Sequence, residues 1–92
     1  MAAISFSKVG NEYVAEFSVN GNFALHIERN VAGYVKVEQS SVQGGGYAPV
    51  MDFPMATRNH KVVDVTFTGE VFPMYLKVTC ETQPTSAVVT EA

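Results

Sequence analysis

Apolar and polar residues alternate along most of this chain with a period of two. In EYVAEFSV, residues 12–19, Tyr13, Ala15, Phe17 and Val19 are apolar, while Glu12, Glu16 and Ser18 are polar. NFALHIER continues the pattern, with Phe23, Leu25 and Ile27 on one side and His26 and Glu28 on the other. Successive side chains of a strand point to opposite faces, so this alternation sets one face on a core and the other in water. AISFSKV gives a first strand with Ile4 and Phe6 inward, and YVKVEQS gives another with Val35 and Val37 inward. KVVDVTFT places Val63, Val65 and Phe67 together, and GEVFPMYLKVTC does the same for Phe72, Met74, Leu76, Val78 and Cys80. SAVVTE adds a short last strand. The helical period is nearly absent. About seven short strands joined by Gly, Asn and Pro turns predict an all-β fold, an antiparallel β-sandwich or small barrel, as a single domain over residues 1–92.

Turn chemistry refines the expectation. SVNGN, between the first two long strands, reads as a hairpin loop. A two-residue Asn20-Gly21 turn would oppose Phe17 to Ala24 and mix the faces. A three-residue loop with Gly21 left-handed opposes Phe17 to Phe23 and Ala15 to Leu25 instead. Register keeps the buried set on one face, so the bulged hairpin is expected, with His26 beside Glu16 or Val14. Pro73 has no N–H for a ladder, which predicts that its strand begins at an edge or a bulge.

One segment has no period at all. SVQGGGYAPVMDFPMATRNH, residues 41–60, is longer than the roughly 12–15 residues that a structureless loop of a compact domain usually spans. Three consecutive glycines favour disorder in residues 41–46 because ordering them is entropically costly. YAPVMDFPM, by contrast, interleaves Tyr47, Val50, Met51, Phe53 and Met55 with two prolines that stiffen it. The expectation is an apolar arm behind a glycine hinge, folded over its own sandwich or reaching a neighbouring subunit. These five residues and Phe72 are the candidate interaction residues.

Composition changes the picture in one respect. Charged residues are 16% of the chain, against roughly 25% in an average soluble domain, while the hydrophobic share of 47% is ordinary. A weakly charged surface repels its neighbours little, which favours assembly into a homo-oligomer. Net charge is −3 and no run of Lys or Arg occurs, which argues against nucleic acid as a partner. Cys80 is the only cysteine, so neither an internal disulfide nor a CxxC site is available. No apolar run approaches the ~20 residues of a membrane helix, and MAAISFSKVGNEY lacks the features of a signal peptide. The default expectation for location is therefore cytoplasmic, without a membrane partner.

Little in the chain promises chemistry. His26 with one neighbouring carboxylate is short of the three or four ligands of a metal site. RNHKVVD brings His60 near Asp64, but no nucleophile elbow accompanies them. Cys80 falls on an apolar strand face, where a thiol is inert. Gly44–Gly46 is followed by no Lys-Ser or Lys-Thr, so it is no phosphate loop. Asp52, Asp64, Glu70 and Glu81 form no calcium-loop motif. The expectation is a non-enzymatic protein without metal or cofactor. Tyr34, Tyr47, Phe72 and Tyr75 support an alternative, a carbohydrate-binding or adhesin-like module, although tryptophan is absent.

TGEVFPMYLKVTCETQPTSAVVTEA, together with the opening MAAISF, resembles the small β-sandwich proteins of bacteriophage virions. Those proteins decorate or cement capsids or form compact trimeric modules. The resemblance is one of style over most of the chain and carries no site residues across. It implies a structural role in a virion, exerted through oligomeric contacts, with a trimer or other virion proteins as the partners.

Overall fold

A computed structural model describes residues 2–49, 61–69 and 71–91. These form nine strands: β1 (Ala2–Ala3), β2 (Ser7–Val9), β3 (Glu12–Val19), β4 (Phe23–Arg29), β5 (Val35–Ser40), β6 (Ala48–Pro49), β7 (Val62–Phe67), β8 (Met74–Cys80) and β9 (Pro84–Glu91). They build two antiparallel sheets, one ordered β1-β9-β4-β7 and the other β2-β3-β8-β5-β6. The all-β fold expected from the alternation is present, and of the two expected forms, sandwich and small barrel, it is the sandwich. Two more strands are present than the period suggests, because β1 and β6 are each only two residues long.

The pairing is nested. With β2 set aside, β1 pairs with β9, β3 with β8, β4 with β7 and β5 with β6, as in one long hairpin folded over on itself. Placing β9 beside β4 and β8 beside β5 then divides the hairpin into two sheets. Eight strands nested in this way are the jelly-roll topology.

Several local expectations are corrected. AISFSKV is not one strand: β1 belongs to the four-stranded sheet and β2 to the five-stranded one. Ile4 and Phe6, between them, do pack against the core. The 19–21 segment is not a hairpin, since β3 and β4 lie in different sheets and Gly21 has no left-handed φ. The physical reason is that crossing between two facing sheets keeps Phe17 and Phe23 inward as well as a hairpin would. The tight two-residue hairpin is at Gly10-Asn11, where Val9 opposes Glu12 and Gly10 has φ +62°. Glycine first with a positive φ is the demand of a type II′ turn. Pro73 precedes β8 rather than marking an edge, and β8 lies centrally between β3 and β5.

Residues 41–46 are not disordered but form a hydrogen-bonded turn. The Ser40 hydroxyl donates to the Val42 carbonyl (2.9 Å), and the Val42 N–H donates back to Ser40 Oγ (3.1 Å). The Gly45 N–H donates to the same carbonyl (3.0 Å), and Gly44 takes the left-handed φ of +76° that the turn requires. Ala48 and Pro49 then pair with Gln39 and Glu38 at the edge of β5. Ser40 thus offsets part of the ordering cost of the glycines.

The core lies between the sheets. Val19, Leu25, Ile27, Leu76, Val78 and Cys80 are completely buried, and Phe23 stacks on Phe67 at 4.9 Å. Burying each such aliphatic side chain contributes about 1.5–3 kcal/mol. The inward face of β4 reads Phe23, Leu25, Ile27 and then Arg29, a buried cation at the sandwich end. Its Nη1 donates to the carbonyls of Gly33 (2.8 Å) and Tyr34 (3.5 Å), which ties the β4–β5 corner down. The β4–β9 register shifts between Glu28 and Arg29, and Thr85 donates its hydroxyl to the Glu28 carbonyl there.

Candidate functional site

Three tyrosines, Tyr75 within β8, Tyr34 just before β5 and Tyr47 just before β6, belong to or adjoin the five-stranded sheet. On its outer face Tyr75 of β8 lies between Ser18 of β3 and Ser40 of β5. The next row is Glu16, Lys77 and Glu38, and the one after it Val14, Thr79 and Lys36. Directly opposed side chains of neighbouring strands are close enough to interact, so Lys77 stands between two carboxylates.

Tyr34 closes one end of this face. Its hydroxyl donates to Glu12, and Lys36 lies 5.2 Å from its ring centroid and 3.9 Å from the same carboxylate. Its backbone is fixed too, because Glu81 accepts from the Tyr34 N–H (3.3 Å) and donates its own N–H to the Tyr34 carbonyl (3.0 Å). Gly33 lets Glu81 come this near: a Cβ there would stand 2.8 Å from Oε1.

Tyr47 lies near the other end, delivered by the turn rather than by a strand. Its half-buried ring has the Lys77 ammonium 6.0 Å from its centroid. Burial, then a hydrogen bond with Glu16, and then the charges of Glu16 and Glu38 hold its hydroxyl above the usual tyrosine pKa. Tyr47 and Tyr75 line one groove of about 510 Å³ together with Glu16, Ser18 and Gln43.

Beyond the same turn is a second and larger cleft, of about 760 Å³. Val42 and Val71 line it, 63% and 62% exposed, with Ala48, Thr68 and Met74. The two hollows share Gly45. The candidate residue Phe72 is partly buried and packs against the core. Val50, Met51, Phe53 and Met55 lie outside the described residues.

On the outer face of the four-stranded sheet, His26 is placed otherwise than the hairpin register implied. Neither Glu16 nor Val14 is its neighbour; its Nε2 meets Glu28 at 2.8 Å and its Nδ1 meets Asp64 at 3.1 Å. The hydrogen bond to Glu28 and then that to Asp64 raise its pKa above the ordinary histidine value. Strand register makes this triad: His26 pairs with Asp64 across β4–β7, and Glu28 is two residues on along the same face. His60 lies outside the described residues, as do Asp52 and Glu70. Among the described residues no three His, Cys, Asp or Glu side chains are grouped to hold a metal ion. Cys80 is wholly buried, and burial pushes its thiol up to about 11 against a smaller opposing effect of Arg29. No helix of the described residues is long and apolar enough to cross a membrane.

The Tyr47–Tyr75 groove was half legible in sequence. The alternation places Tyr75 outward, opposite in phase to Leu76. Nothing in the period places Tyr47, which depends on the turn folding back. No protein-family model, curated protein or solved structure matches this chain.

Proposed function

We propose that this protein is a non-enzymatic structural module that works by assembly, joining copies of itself or other virion proteins through apolar contacts at one end of the sandwich. The observation that carries this reading is the cleft beside the 41–46 turn, where two strongly exposed valines, Val42 and Val71, come from separate loops to line one hollow with Met74. Isolated exposed valines are ordinary on a soluble surface; their convergence on one cleft is what supports reading it as a contact surface. The sequence after Pro49 reads VMDFPM, residues 50–55, so more apolar residues come next in the chain. The jelly roll supports the virion reading at the level of architecture, because capsid domains use it; lectin domains use it too, so the fold alone decides nothing.

A stable contact of this kind would bury about 1,600 Å² in total. The experiment is light scattering after size exclusion over a wide concentration range. It compares the unaltered chain with the Val42→Ser/Val71→Ser and Met51→Ser/Phe53→Ser double variants. A closed oligomer, a trimer foremost, is expected for the unaltered chain, with a folded monomer for the valine variant. A monomer at every concentration refutes self-assembly. An oligomer that survives both double variants refutes this surface.

A further inference from the structure

On the other side of the 41–46 turn, the groove on the sheet face has a different character. Two tyrosine rings line it, Tyr75 from the middle of the sheet and Tyr47 from the turn. A carboxylate, a hydroxyl and an amide line it with them: Glu16, Ser18 and Gln43. Its volume of about 510 Å³ is within the range of small-ligand sites. We propose that this groove binds a neutral saccharide, a function that goes beyond the assembly contact next to it.

The chemistry selects the ligand class in three steps. First, the groove is amphipathic in the way a pyranose is. The Tyr47 and Tyr75 rings that line it supply apolar area for the C–H groups of a sugar, and their hydroxyls keep a polar tip. The Glu16 carboxylate, already a hydrogen-bond partner of the Tyr47 hydroxyl, keeps lone pairs for a sugar hydroxyl, while Ser18 and Gln43 each donate and accept. Second, local charge disfavours anions. Glu16 and Glu38 outnumber Lys77 in their row, so a sulfated, phosphorylated or carboxylated ligand meets net negative charge. Third, the place of a cation is already filled from within the chain. Lys77 opposes both carboxylates and stands 6.0 Å from the Tyr47 centroid, the range of a cation–π contact. An uncharged ligand rich in hydroxyls is what remains.

The site is also held in shape before any ligand arrives. Gly44 and the Ser40–Val42 hydrogen bonds fix the turn, and Ala48, next to Tyr47, is paired with Gln39. A groove whose walls are already ordered spends less of its binding free energy on ordering them.

The test applies the full chain to an array of neutral and sialylated oligosaccharides. The best neutral one is then titrated while amide chemical shifts are followed. Glu16→Gln keeps the side-chain size and removes the charge; Tyr47→Ala removes a wall; Tyr34→Phe alters the same sheet face outside the groove. Circular dichroism confirms that each variant is folded. Binding to neutral glycans is expected, weakened about 10- to 100-fold by Glu16→Gln, the range for losing hydrogen bonds to a charged group. Tyr47→Ala should weaken it similarly and Tyr34→Phe should leave it unchanged. No neutral glycan bound at millimolar concentration overturns the proposal. So does preference for sialylated glycans, or affinity that Glu16→Gln and Tyr47→Ala leave intact. None of these variants alters Val42 or Val71, so the assembly contact is tested separately.

Discussion

Replacing Arg29 by methionine isolates what a buried guanidinium does at the end of this sandwich. Arg29 is 3% exposed and its Nη1 reaches the Gly33 and Tyr34 carbonyls at 2.8 and 3.5 Å. Methionine keeps most of the apolar stem but donates nothing, so those contacts are lost while the packed volume is nearly conserved. Hydrogen bonds from a charged donor are worth about 1.5–3 kcal/mol net, and the Gly33 carbonyl adds a desolvation cost, while the Tyr34 carbonyl keeps the Glu81 N–H. Expulsion of the ion from a dry site offsets part of the loss, because burying a charge is itself unfavourable. The expected balance is a destabilisation of about 2–3 kcal/mol, a large share of the roughly 5–14 kcal/mol that a chain of this length has. Urea unfolding followed by tyrosine fluorescence and circular dichroism reads it directly. With a urea slope of about 1–1.5 kcal/mol/M, the midpoint should fall by roughly 2 M. A midpoint unchanged or raised in Arg29→Met would refute the reasoning, showing that desolvation of the ion outweighs the corner it ties.

Two further predictions concern the backbone and pH. Gly10→Ala should cost about 1–2 kcal/mol, since φ +62° is forced on a side chain there. Gly46→Ala, with no left-handed φ and nothing within 4 Å of the new Cβ, should stabilise by about 0.5 kcal/mol; equal effects in the same urea assay would contradict the turn assignment. His26 is held above its ordinary pKa by Glu28 and Asp64, so its contribution to stability is full below the unfolded value near 6.5 and is lost as pH rises through the folded value. With the side chain 37% exposed, that contribution is under about 1 kcal/mol. His26→Gln should therefore be less stable than the parent at pH 6 and equal to it at pH 9, and a difference that persists at pH 9 would exclude the ion pairs as its source.

The strand faces were legible because burial on one side imposes a period of two that no other element produces. Phe17, Leu25, Val37, Val63 and Val78 all point where the alternation puts them. The pairing of strands was not legible, for a physical reason. Phe17 and Phe23 face the core whether residues 19–22 turn back within a sheet or cross to the other, so the pattern is degenerate between the two. SVNGN drew the hairpin, while VGNE, residues 9–12, with glycine in the first turn position, makes one. Arg29 carried a signal of another kind, a charge at an odd position of an otherwise apolar face. Its meaning depends on the Gly33 and Tyr34 carbonyls being brought to it, which is a matter of tertiary structure. The groove likewise needs the turn to fold back over β3 and β8 before Tyr47 can meet Tyr75.

The nested order of the strands also decides when the protein can form. Ala2 opposes Val89, 87 positions away along the chain, and every other rung of the nest except β5–β6 closes a long loop. Such non-local pairing places folding in the slow range, milliseconds to seconds. β9 is moreover an inner strand of its sheet, flanked by β1 and β4, and it is made after both of them. During synthesis β4 therefore has one flank open until residues 84–91 emerge, and an open strand edge invites wrong partners. Loss of those eight residues would remove the middle of a sheet rather than a fringe, so it should behave as failure to fold and not as trimming.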